Sequence, residues 1–210
     1  MPILPKKKLI FVHIPKTGGQ SIYHALGGDL YNPNPNKKIL WGPDGDFEYS
    51  HFTALEIKGA ISTKKFKEYY MFTMVRNPFD RLVSLYFHKK LGRDTRFVSA
   101  EGLSFHQFVE NLYEKFHLIP QTRQLDMAHV RPQHEYVYDK NDKMLVDHIF
   151  KYENYDEIQA FITTYGGSEL PKINTTQHLN YRAYYTKEAH AMVSEMYAKD
   201  FKRFGYKTNL

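Results

Sequence analysis

Residues 9–26 read LIFVHIPKTGGQSIYHAL, and the fold turns on how this stretch is parsed. Leu9 to Ile14 is a mostly apolar run of strand length, the pattern of a strand covered on both faces in a parallel sheet. Pro15 ends it. Lys16-Thr17-Gly18-Gly19-Gln20-Ser21 follows as a small, polar turn, after which Ile22, Ala25 and Leu26 fall at helical spacing and Gly27 is placed to stop the helix. Strand, glycine turn and helix is a geometry in which backbone N–H groups converge on an anion. Lys16 adds a charge, and the hydroxyls of Thr17 and Ser21 add donors. Two readings follow: a tight turn between strand and helix, or a cradle for a phosphate-like or sulfate-like group. The pattern GxxxxGK[ST] is absent, because Lys16 precedes the glycines, and this disfavours an ordinary nucleotide triphosphatase.

A second junction has the same form. Tyr69 to Val75 (YYMFTMV) is another apolar run of strand character, ending at Arg76-Asn77-Pro78. Asn77 suits a helix cap and Pro78 the first turn. Phe79, Leu82, Val83, Tyr86 and Phe87 then form a core-facing stripe, with Asp80, Ser84 and His88 on the other side. Ligands of open α/β sheets bind beyond the carboxyl ends of strands, which is where Arg76 lies. Arg76 as a planar fork and Ser84, two turns on, as a hydroxyl donor would suit a second phosphate. Taken alone, Arg-Asn-Pro is equally a capped helix start.

Outside these junctions the patterns suggest a mainly parallel α/β sheet. Val146 to Lys151 reads as a further strand, followed by a helix from Tyr155 to Tyr165. Helical stripes run through Leu55 and Ile57, and through Phe105, Phe108, Val109, Leu112 and Tyr113. A helix starting after Thr186 carries Ala189, Met192, Val193, Met196, Tyr197, Phe201 and Phe204 on one face, up to Gly205. Gly27 to Gly45, rich in Gly, Pro and Asn, reads as a long surface loop anchored by Trp41, and 121–143 and 174–185 read as irregular. With 210 residues, no internal repeat and no evident boundary, one domain spanning 1–210 is expected.

Composition bounds the rest. A formal charge of +6 suits anionic ligands, and the absence of cysteine excludes disulfides and thiolate metal sites. No run reaches the ~20 apolar residues of a membrane span. Lys6-Lys7-Lys8 before the first strand mimics a signal peptide, but Pro15-Lys16 interrupts an already short apolar core, so a cytoplasmic protein, or a soluble piece of something larger, is expected.

PKTGGQS after one strand, with VRNPFDRLVSLY after a later one, resembles the sulfotransferases that use 3′-phosphoadenosine 5′-phosphosulfate (PAPS). The resemblance is strongest to the branch of carbohydrate sulfotransferases that includes the uronyl 2-O and chondroitin enzymes, with their bacterial relatives. The segment around His51, HVRPQ at 129–133, FKYENYDEI at 150–158 and the ending YAKDFKRFGY extend it from Leu9 to Tyr206. It implies a P-loop-like three-layer fold with helices flanking the sheet. It also implies that Lys16, Thr17, Gly18, Gly19, Gln20 and Ser21 form the 5′-phosphosulfate loop. Arg76 and Ser84 would hold the 3′-phosphate, and His51 would be the catalytic base. The donor would be PAPS, the product 3′-phosphoadenosine 5′-phosphate (PAP), and the acceptor a hydroxyl, with a carbohydrate expected.

The chemistry fits these residue types. Sulfuryl transfer requires an in-line acceptor oxygen, a base for its proton, and a cation where charge grows on the departing phosphate. An ordinary imidazole titrates near ~6.5 and can be that base, and Lys16 can be that cation. No metal is demanded, no metal-ligand motif is evident, and no nucleic-acid partner is called for. Arg131, with Lys89, Lys90, Arg93 and Arg96, would suit an acidic acceptor such as a uronic acid glycan, or simply form a solvated basic face. The membrane anchor of the Golgi enzymes and the RKGxxGDWK signature of the steroid and phenol branch are both absent from this sequence. Two other functions compete: an ATP-dependent small-molecule kinase, which would need a lysine after the glycines and carboxylates for magnesium, and a non-catalytic binder of nucleotide or polyanion. The oligomeric state is not legible.

Overall fold

The computed structural model describes residues 3–27, 51–91, 99–117, 125–171 and 179–209. The long loop expected after Gly27, and Trp41 within it, lie outside the described residues, as do Arg93 and Arg96. In chain order the elements are β1 (Ile3–Leu4), β2 (Leu9–Val12), α1 (Gly19–Ala25), α2 (Ala54–Ala60), α3 (Thr63–Glu68), β3 (Tyr70–Val75), α4 (Pro78–Lys90), α5 (Phe105–Lys115), α6 (Leu125–Val130), β4 (His148–Lys151), α7 (Tyr155–Thr164), α8 (Lys187–Met196) and α9 (Ala198–Phe204). They fall into two compact units, one of residues 1–75 and 135–174, the other of residues 76–134 and 175–210.

The first unit is built on the sheet, whose described strands run in the order β1-β2-β3-β4. β2 pairs in parallel with β3, and β3 with β4, while the short β1 is antiparallel on the edge. All four residues of β2 are fully buried, as its unbroken apolar run requires. Leu9 and Phe11 of β2, Phe72 and Met74 of β3 and Phe150 of β4 share one sheet face and pack with Ile22 and Ala25 of α1 and Ile158 and Ile162 of α7. This is the mixed α/β, mainly parallel fold that the strand–helix alternation predicts. At the end of α1, Gly27 stands at φ 86°, the left-handed conformation that stops the helix.

The second unit is helical, with a core drawn from α4, α5, α8 and α9, centred on Phe79, Phe108, Leu112, Val193 and Phe201. Asn77 caps α4 by accepting the Phe79 N–H, with Pro78 in the first turn. Four expectations are corrected here. Ser84 is not on an open polar side: it is 6% exposed, and α4 also buries Arg81 and Lys89, so the helix is enclosed well beyond its apolar stripe. The helix after Thr186 is not continuous to Gly205, because the backbone leaves helical values at Tyr197 (φ −112°, ψ 24°) and α8 and α9 separate there. The stretch 121–143 is not wholly irregular. It holds α6, a 3-10 turn at Gln133–Tyr136 and the bridge Tyr138 to Met144. Likewise 174–185, read as loop, holds a 3-10 turn at Tyr181–Tyr184. In the α2 and α5 stripes, Leu55 and Tyr113 face outward, while Ile57, Phe108 and Leu112 are buried. No helix among the described residues is long and apolar enough to cross a membrane.

Candidate active site

In the first unit, the chain leaves β2 through His13, Ile14 and Pro15, all buried, and turns sharply at Lys16. Lys16 has φ 67°, left-handed backbone that costs a non-glycine residue about 1–2 kcal/mol. Such strain concentrates where a side chain must be placed for function. Thr17 is fully buried and its hydroxyl donates to the Ile14 carbonyl at 2.9 Å, closing the turn against the strand end. Its hydroxyl therefore braces the loop. Gly18 (φ 84°) begins α1 with no side chain capping it, and its carbonyl accepts the Ser21 N–H at 3.0 Å.

Gly19 is required by packing. A Cβ built there would lie 2.1 Å from Cδ2 and 2.4 Å from Nε2 of His13. Real contacts never come so close, so only a hydrogen atom fits between this turn and the His13 ring. The same ring stands 4.7 Å from the His51 ring, centroid to centroid, and 5.6 Å from Phe11. His51 Nδ1 lies 2.9 Å from the His13 carbonyl oxygen. A carbonyl can only accept, so Nδ1 carries the proton and, in the neutral ring, Nε2 is the proton-accepting nitrogen. His13 thus joins His51 to the glycine turn. The sequence reading passed over His13, although a lone polar side chain in an apolar strand run was its signal.

Arg76, Ser84 and Arg131 belong to the second unit. Arg76 follows β3 directly and is 8% exposed. Its Nε donates to Asp80 Oδ2 at 2.8 Å, which fixes the plane of the guanidinium. Its backbone is gripped by Gln133: the Arg76 N–H donates to Oε1 at 2.9 Å, and Gln133 Nε2 donates to the Arg76 carbonyl at 2.8 Å. Arg131 is half-buried, and its carbonyl and that of His129 accept the two Nη groups of the buried Arg81, at 3.0 and 3.1 Å. Nearby Tyr185 donates to the Phe79 carbonyl at 2.9 Å, and burial above all pushes its phenol well above the ordinary value, so it stays neutral. Among the described residues no group of three His, Asp or Glu side chains is arranged to hold a metal ion.

The first unit is a mixed α/β fold whose glycine turn leaves the carboxyl end of a strand in a mainly parallel sheet. A model of the sulfotransferase family matches residues 2–207, and the chain belongs to that family. This makes it a transferase of the sulfotransferase kind. Comparisons with curated proteins and with solved structures returned no match.

Proposed function

We propose that this chain, acting as one sulfotransferase domain over residues 1–210, transfers the sulfuryl group of PAPS to a hydroxyl acceptor, a carbohydrate. Membership of the family supports sulfuryl transfer. The donor and acceptor are inferred from the resemblance of PKTGGQS, RNPFDRLVS, the His51 segment and HVRPQ to the carbohydrate branch. The observation that carries the mechanism is the hydrogen bond from His51 to the His13 carbonyl, which selects the tautomer a base needs.

In this reading Lys16 through Ser21 hold the 5′-phosphosulfate, and Arg76 and Ser84 hold the 3′-phosphate. β2, which leads into the first of these segments, and β3, which precedes Arg76 in the chain, are hydrogen-bonded parallel neighbours. His51 Nε2 takes the proton of the acceptor hydroxyl as its oxygen attacks sulfur. The new S–O bond forms while the bond to the bridging oxygen breaks, and PAP leaves with the electron pair. Lys16 neutralises the charge that grows on the departing phosphate, a task that a fixed cation performs without a metal. Arg131 would pair with an acidic group on the acceptor.

Calorimetric titration of PAP into the full chain tests the donor assignment. Saturable binding at micromolar nucleotide, unchanged by magnesium or EDTA, is expected. The absence of binding at high micromolar nucleotide with and without magnesium would refute it.

A further inference from the structure

HVRPQ and the ending YAKDFKRFGY lie far apart in sequence, and apart from Arg131 they have no role in the chemistry above. In the second unit they meet. Asp200, in α9, is fully buried, and both of its carboxylate oxygens are engaged by the turn that follows HVRP. Oδ2 accepts the Gln133 N–H at 2.7 Å, and Oδ1 accepts the His134 N–H at 2.9 Å and the His134 Nδ1–H at 2.6 Å. Gln133, also fully buried, turns its amide onto Arg76 and satisfies the Arg76 N–H and carbonyl together. The chain of contacts therefore runs from Asp200 through Gln133 to the backbone of Arg76, whose guanidinium plane is set in turn by Asp80.

We infer that Gln133 and Asp200 are positioning residues for the 3′-phosphate. They fix the backbone from which Arg76 projects, and so decide whether its planar fork meets a phosphate in register. This rests on the assignment of Arg76 proposed above. The physical case is the directionality of the guanidinium, whose paired hydrogen bonds tolerate little misplacement. A primary amide is suited to the task because it offers a donor and an acceptor at once to the N–H and carbonyl of one residue. A carboxylate or an apolar side chain of similar size would leave at least one buried backbone group unsatisfied.

The test compares PAP with adenosine 5′-monophosphate (AMP), which lacks the 3′-phosphate, by calorimetry on the full chain and on Gln133→Met, Gln133→Glu and Asp200→Asn. Wild type is expected to prefer PAP. Gln133→Met should reduce that preference by about tenfold or more, corresponding to about 1.4 kcal/mol, while AMP affinity stays near wild type. Gln133→Glu and Asp200→Asn should move the same ratio in the same direction. Equal weakening of both nucleotides, or an unchanged ratio, would overturn the positioning role, since a merely structural defect does not select for the 3′-phosphate. If Gln133→Met does not fold, the ratio in Asp200→Asn decides. A wild type that binds PAP and AMP alike would instead remove the 3′-phosphate assignment itself, and the positioning role with it.

Discussion

The lysine that comes too early for a nucleotide triphosphatase loop is the most informative residue of the chain. In sequence it disfavoured one chemistry; in the structure it occupies left-handed backbone immediately before a buried threonine and two glycines. The turn was legible because its residue types are local signals. Gly19 was legible only as a member of a pair, and its actual cause is the His13 ring six residues earlier. Gly19→Ala places a methyl group 2.1 Å from that ring, which is buried and cannot swing away as the end of a flexible side chain would. It should lower stability in urea unfolding by about 1–3 kcal/mol, the usual cost of overpacking. A wild-type midpoint for Gly19→Ala would mean that His13 is not held against the turn. His51 was assigned by resemblance, and the hydrogen bond that gives it a base's tautomer was invisible until the backbone of His13 was placed.

At the scale of elements, starts and stops announced themselves more clearly than interiors. Asn-Pro before an apolar stripe marks the start of α4, and glycine at φ 86° and 64° ends α1 and α9. Removing the α4 cap by Asn77→Ala should reduce unfolding free energy by about 1 kcal/mol, read from chemical denaturation, and no change would show that the cap is redundant with Pro78. Breaks without glycine or proline were not legible. Tyr197 keeps the apolar spacing of one long helix, yet its backbone departs from helical values while its hydroxyl donates to the Val130 carbonyl at 2.7 Å. A signal for Asp200 was present all the same. It falls three residues after Tyr197 and four before Phe204, on the core-facing side of α9, where a carboxylate needs buried partners. The enclosure of Ser84 and Arg81 was not predictable from the periodicity of α4, since a helix covered beyond its apolar stripe depends on its neighbours.

For the whole molecule, the family assignment spans residues 2–207 and makes the chain a sulfotransferase-family transferase. The mainly parallel sheet followed from apolar runs separated by helices. What sequence alone withheld were contacts between distant segments, such as Arg76 with Gln133 and Gln133 with Asp200, which no local pattern encodes. The central claim is sulfuryl transfer from PAPS to a hydroxyl, with His51 as base. Its most direct test is transfer of labelled sulfate from PAPS by the full chain to a panel of glycans, phenols and metabolite alcohols, run beside His51→Ala. Label should appear in at least one carbohydrate hydroxyl, and His51→Ala should abolish it while binding PAP within about threefold of wild type. Wild-type protein that binds PAP but labels no acceptor, or His51→Ala that labels as well as wild type, would contradict it.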